Sequence, residues 1–338
     1  MGKVTNQAGR GNTPPRLSLE RFLTWLRRHP EFGAFAGTVV VFIGFSITAT
    51  RFLTPDSFAG ILTVAAELGI VAAGITFLMI SGEFDLSVGS VLGVAAMIFA
   101  LTVKAGWPVL GSWIVALLAS ASIGLINGLI VTKTGIPSFI TTLGAMMFWR
   151  GILLAVTKGF PIQFFPKTMP PMFFALNGRF VGQFRTSALW FLGIVLLINL
   201  ILVRTRYGNA VYATGGNRDA ARVLGVTTDR VKLINFVISA VLAGLAGCIQ
   251  FARFLSIDPT RGVGLELEAI AAAVIGGTLL TGGAGNLVGT LFGVLLVGMV
   301  RSGLVQSGAP AYWYQAFVGL IVVVAVIVNT RLRRWALG

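Results

Sequence analysis

Ten apolar runs, each close to the length that crosses a bilayer, leave this chain few ways to fold. They cover residues 33–50, 59–80, 88–103, 109–132, 137–156, 188–203, 233–252, 264–281, 286–303 and 311–328. In hydrocarbon every backbone N–H and C=O must find a partner within the chain, which a helix supplies and an open strand does not. At 1.5 Å per residue, a run of about 20 residues covers the ~30 Å apolar core. The expected fold is therefore an all-α integral membrane protein with about ten transmembrane helices. Only 11% of the residues are charged, against about a quarter in soluble domains. The mean hydropathy is +0.88, so the solvent for most of this surface is lipid. The 43 glycines suit close packing of helices in a membrane.

An even number of crossings puts both termini on one side. The basic residues of the N-terminal tail, with Arg331, Arg333 and Arg334 after the last run, place that side in the cytoplasm. Residues 1–32 read as a retained cytoplasmic tail. Within it Leu19, Phe22, Leu23 and Leu26 keep i, i+3, i+4, i+7 spacing beside Arg21, Arg27 and Arg28, the pattern of a short basic amphipathic helix lying on the inner membrane surface. Residues 33–338 form a single transmembrane domain. The loop 157–187 falls outside and carries seven phenylalanines, four prolines and no acid. It reads as an aromatic belt with re-entrant packing, or alternatively as a surface for an extracytoplasmic partner.

The net charge of +15 invites a nucleic-acid partner, but the basic residues flank apolar spans, as in membrane anchoring, and gather on no one face. Lipid is the expected partner of that charge, and nucleic acid is not. Cys248 and His29 are the single cysteine and histidine, which excludes a thiolate or imidazole metal site and Ser-His or Cys-His catalysis. No G-x-x-x-x-G-K-[ST] phosphate loop occurs, so no cofactor, ATP included, is expected on this chain, and no catalytic residue.

One long charged stretch interrupts the apolar runs. Residues 204–232 carry Arg204, Arg206, Arg218, Arg222, Arg230 and Lys232 against Asp219 and Asp229, and the crossing count places them in the cytoplasm. The centre reads as a short helix. Gly215-Gly216 makes a turn, Asn217 is the N-cap, Asp219 meets the positive end of the dipole, and Gly225 stops the helix. Ala220, Ala221 and Leu224 fall on one small apolar face. On charge alone this is a solvated loop that fixes topology; its caps and apolar face also suit a docking helix for a soluble partner.

Several polar breaks mark a candidate pathway or its supporting shell. Ser81–Ser90 contains Glu83, Asp85 and Ser87, two carboxylates in a turn between apolar spans, costly unless they face water or a partner. Residues 133–143 supply Thr141 and Thr142, with Asn127 in the preceding run, and residues 276–285 form a third Gly/Thr-rich break. Non-helical backbone at membrane depth must lie against protein or a cavity. Within the spans stand Glu67, ~12 Å below the outer face, and Arg150, ~10 Å below it. Their equal depth allows a mutual ion pair or two groups lining one cavity. With Glu67 as the one acid well inside a span, an ion-coupled secondary transporter is the weaker alternative.

Four of these segments, EFDLSVGS, GLINGLIVTKTGIPSFITTLG, YGNAVYATGGNRDAARVLGV and ELEAIAAAVIGGTLLTGGAGNLVGTLFG, occur in the order seen in sugar permeases. From the second run to the last, the chain resembles the permease subunits of bacterial monosaccharide ABC importers of the ribose/xylose type. The resemblance implies a multi-pass protein of the bacterial inner membrane and a second permease copy. It implies ABC ATPase subunits beneath, which use the ATP, and a periplasmic sugar-binding protein above. It also implies that Gly216, Asn217, Arg218, Ala220, Ala221, Arg222, Leu224 and Gly225 form the helix that seats in the ATPase. The family turn often reads Gly-Gly-Ile-Asp. Here Asp85 matches, and Glu83 is an additional acid.

Overall fold

A computed structural model describes residues 31–310, 313–321 and positions 323, 324 and 327. The expected amphipathic helix over 19–26 and the basic C-terminal tail lie outside the described residues. The first helices are α1 (Glu31–Thr48), α2 (Pro55–Ile80), α3 (Val88–Lys104), α4 (Val109–Thr134) and α5 (Ser138–Thr157). Their ends follow local chemistry. Thr54 caps α2 by accepting from the Ser57 amide, with Pro55 in the first turn where its missing N–H costs nothing. Gly135, at φ 74°, ends α4, and Pro137 precedes α5.

The remaining helices are α6 (Pro171–Asn177), α7 (Thr186–Arg204), α8 (Arg206–Gly216), α9 (Arg218–Val223), α10 (Thr228–Phe254), α11 (Leu265–Ile275) and α12 (Leu287–Gln306). Seven of these twelve, α1, α2, α4, α5, α7, α10 and α12, are long and apolar enough to cross a membrane. The 17-residue α3 is apolar but shorter. The expected run over 264–281 is instead the 11-residue α11, ~16 Å long and too short to cross. Its sequence stays apolar to the end, but Gly277, Gly282 and Gly283 adopt positive φ, which breaks the helix into a folded loop. The last expected run is helical over 313–321, and its remainder falls largely on positions not described.

The helices pack around a central pair. In α2, 89% of the most apolar window is buried inside the chain, against 11% in α1 and α5, so α2 is enclosed by protein while α1 and α5 present apolar faces outward. α10 crosses α2, α3 and α4. A Cβ built on Gly247 would lie 2.2 Å from the Leu92 carbonyl oxygen, and one on Gly124 2.5 Å from that of Phe236. Backbone therefore meets backbone where α10 crosses α3 and α4, contacts that only glycine permits.

The loop 157–187 is more structured than a belt. β1 (Ile162–Gln163) pairs antiparallel with β4 (Ser256–Ile257), and β2 (Arg179–Val181) with β3 (Phe184–Arg185). Phe173 of α6 is buried among Phe99, Phe164 and Phe251, at centroid distances of 5.6–5.9 Å. Phe160 and Phe165 stay exposed. This loop, with Ser256–Ile257 paired to it, lies at the upper end of the bundle, and the chain from there runs down into the bundle until Gly262 meets Gly89 backbone to backbone. The starts of α1, α5, α10 and α12 lie at the lower end with residues 81–84, as Asn286–Glu31, Phe84–Ser138 and Lys232–Glu83 contacts require.

Candidate functional site

The lower end carries the charged segment. Thr205 caps α8 through the Gly208 amide at 3.1 Å, and Asn217 caps α9 through the Ala220 amide at 3.0 Å. Gly225, at φ +85°, follows α9 and turns the chain toward α10. Arg218 and Arg222 both reach Asp229, at 2.8 and 2.7 Å, and Arg222 Nε donates to Thr228 Oγ1 at 2.9 Å. Two guanidiniums sharing one carboxylate clamp the six-residue α9, too short to persist unaided, onto the first turn of α10.

Two details differ from the sequence reading. Gly215 and Gly216 close α8 and make no turn. Ala220, Ala221 and Leu224 do not share a face: Ala221 is buried against the chain itself, while Ala220 is exposed, and Val223 and Leu224 are 88% and 83% exposed. Successive positions on a helix differ by ~100°, so the clamp that turns Ala221 inward turns Val223 and Leu224 outward.

Gly215 anchors a second feature. A Cβ on it would lie 1.9 Å from the Ile80 carbonyl oxygen and 2.7 Å from the Gly283 amide nitrogen. Gly283 N donates to Ile80 O at 2.9 Å. Gly282 lies against Gly82, Gly283 against Gly216, and the Tyr212 hydroxyl donates to Gly285 O at 2.8 Å. The end of α8, the break after α2 and the break before α12 thus meet backbone to backbone.

The break after α2 is held by groups the sequence had flagged separately. Phe84 N donates to Ser138 Oγ and Leu86 N to Thr142 Oγ1, each at 3.1 Å. Asp85 Oδ1 accepts from the Ser87 amide and hydroxyl at 2.8 and 2.6 Å, and Asn127 Nδ2 donates to Ser87 Oγ at 2.9 Å. Asp85, Ser87, Asn127 and Thr142 are all essentially inaccessible, so they hold the break in place from within the bundle. Asp85 Oδ2 and Thr141 Oγ1 are buried without a hydrogen-bond partner. Glu83 forms a buried ion pair with Lys232. Lys232 is thus no part of the solvated basic loop, and the additional acid of the turn is its counter-ion.

The expected pairing of Glu67 with Arg150 does not form. Glu67 accepts from Arg253 at 2.9 Å. Arg150 donates to the carbonyls of Pro259, Arg261 and Gly89, at 2.7, 3.0 and 3.2 Å. Depth along the membrane carries no information on azimuth: α2 turns Glu67 toward Arg253 of α10, while α5 turns Arg150 toward Gly89 of α3. A double-mutant cycle separates the two pairings. We expect Glu67→Gln and Arg253→Gln to couple by about 1–3 kcal/mol in thermal unfolding, and Glu67→Gln with Arg150→Gln to be additive within about 0.5 kcal/mol. Sequence reasoning passed over Arg253, Glu266, Glu268 and Arg301. The two acids were visible as alternate residues of LELEA at the start of the expected run over 264–281.

Residues 57–326 match the family described as the branched-chain amino acid transport system / permease component. The chain belongs to this family. It is 34% identical over 323 residues to the ribose import permease protein of Escherichia coli K12, covering 94% of this chain and 99% of that relative. It is 35% identical over 301 residues to the ribose import permease protein of Bacillus subtilis 168, covering 89% and 93%. The autoinducer 2 import system permease protein of Photorhabdus luminescens is 33% identical over 316 residues, covering 92% and 93%. The molecule is therefore the permease component of an ABC importer, a transport protein and not an enzyme, spanning the bacterial inner membrane many times.

Proposed function

We propose that two copies of this permease form the translocation pathway of an ATP-driven importer for a monosaccharide or a small polyhydroxylated solute of similar size. The lower end of the bundle faces the cytoplasm with both termini, and α9 docks into ABC ATPase subunits that use the ATP. A periplasmic binding protein delivers the solute at the upper end. The relatives named for import of ribose and of autoinducer 2 support the solute class.

The observation that carries the reading is the pair Val223 and Leu224, 88% and 83% exposed at the tip of a helix clamped by Arg218, Arg222 and Asp229. Bare apolar side chains on a rigid, basic-flanked tip mark an interaction surface. Val223→Glu with Leu224→Glu is expected to abolish co-purification of the ATPase and ATP-driven uptake, leaving the melting temperature of the permease unchanged. Normal uptake by this double variant would remove the docking assignment. The permease alone is expected to hydrolyse no ATP, and sustained sugar uptake by it in liposomes under a proton or sodium gradient would overturn the energy source.

A further inference from the structure

Arg301 stands 14 residues after the start of the 20-residue α12, ~21 Å along its axis, deep in the apolar layer. It is exposed on the surface of the chain. A guanidinium facing lipid at that depth costs a few kcal/mol, so such a residue faces water or protein. Its neighbours are polar. Its guanidinium lies 5.2 Å from the Tyr314 ring centroid, within electrostatic reach of the Glu268 carboxylate. The Tyr314 hydroxyl faces the Glu268 carboxylate, and the residue is buried.

One turn of α11 carries a second acid. Glu266 is buried, accepts from the Gly264 amide at 3.2 Å and lies within electrostatic reach of Arg150. Both carboxylates stand at the N-terminus of a helix that begins inside the membrane, directly after the non-helical segment 255–264. Backbone of that kind at membrane depth needs protein or a water-filled cavity beside it. Val263, before the two acids, and Leu267, between them, are 67% and 63% exposed.

We infer that Glu268, Arg301 and Tyr314, backed by Glu266 and Arg150, form a polar contact site for a neutral polyhydroxylated solute inside the membrane. This rests on the proposed transport role. Two carboxylates and two guanidiniums cancel, so the site holds no net charge to attract an ion. The carboxylate accepts from and the guanidinium donates to adjacent hydroxyls, the pairing that fixes a polyol. The Tyr314 hydroxyl, beside Glu268, adds one more polar group. The broken helix supplies the opening, as discontinuous helices do at membrane substrate sites.

The test has two arms. In the complete importer, with Cys248 buried in the core as a silent background, Val305→Cys and Leu267→Cys leave every charged group in place. Both are expected to react with a membrane-impermeant, charged thiol reagent. Failure of both to react would mean that this face meets lipid or packed protein, and the site would be wrong. In the second arm, Arg301→Gln and Glu268→Gln are expected to lower ATP-driven uptake of D-ribose about ten-fold or more, as loss of a charged hydrogen bond does. The effect should be smaller for 2-deoxy-D-ribose, which offers one hydroxyl fewer. Equal losses for both sugars, tracking a fall in melting temperature, would reduce these residues to structural ties between α11 and α12. If the unmodified importer shows no ATP-driven sugar uptake, the proposed function fails instead, and the labelling arm still decides whether the cavity exists.

Discussion

Replacing Lys232 by Met destabilises the detergent-purified permease by about 3–5 kcal/mol, the cost of leaving a buried carboxylate without its partner. Lys232 and Glu83 are each 7% exposed and pair across the junction of the break after α2 with the first turns of α10. Glu83→Gln strands the ammonium in the same way. Since each single variant leaves one charge unpaired, the double variant Glu83→Gln/Lys232→Met costs less than the sum, and thermal unfolding of all four proteins measures the difference. Additive losses would show that the two charges are solvated independently. The ion pair also joins the pathway break to the helix that α9 is clamped against, through Asp229 three residues before Lys232. The double variant is therefore expected to regain stability without regaining full coupled transport.

Gly215→Ala is the second large effect. A single methyl would lie 1.9 Å from the Ile80 carbonyl oxygen and 2.7 Å from Gly283 N, both backbone atoms that cannot rotate away. Either α8 lifts off the junction or the hydrogen bond from Gly283 to Ile80 breaks. Overpacking of this kind costs about 1–3 kcal/mol, occasionally more. Gly216→Ala is the control, because a Cβ there meets nothing within 4 Å. We expect Gly215→Ala to lower the melting temperature and uncouple ATP hydrolysis from uptake, while Gly216→Ala behaves as wild type. Equal behaviour of the two variants would dissolve the junction. By contrast Ala221→Trp would report on the inner seat of α9, since Ala221 is buried, and not directly on a partner.

How far the sequence could be read depended on the range of the physics involved. Helix ends were legible because caps act within four residues. Asn217 caps α9, Gly135 ends α4, and most expected spans match observed helices within a few residues. The charged segment and the three polar breaks were likewise visible as departures from an apolar background. The half-helix α11 was not, since an apolar run gives the same hydropathy whether it crosses or folds back.

By itself, then, the sequence determined that this is a helical membrane protein with one capped, charged segment between spans, because hydropathy and capping are local properties of consecutive residues. Only the tertiary structure decided which charges meet: Glu67 with Arg253, Glu83 with Lys232, and Arg150 with three carbonyls. It alone joined the glycines of three distant breaks and turned Val223 and Leu224 outward. Partner choice inside a bundle depends on the rotation of each helix about its axis. That rotation follows from which neighbours pack against the helix, and no single stretch of chain contains it.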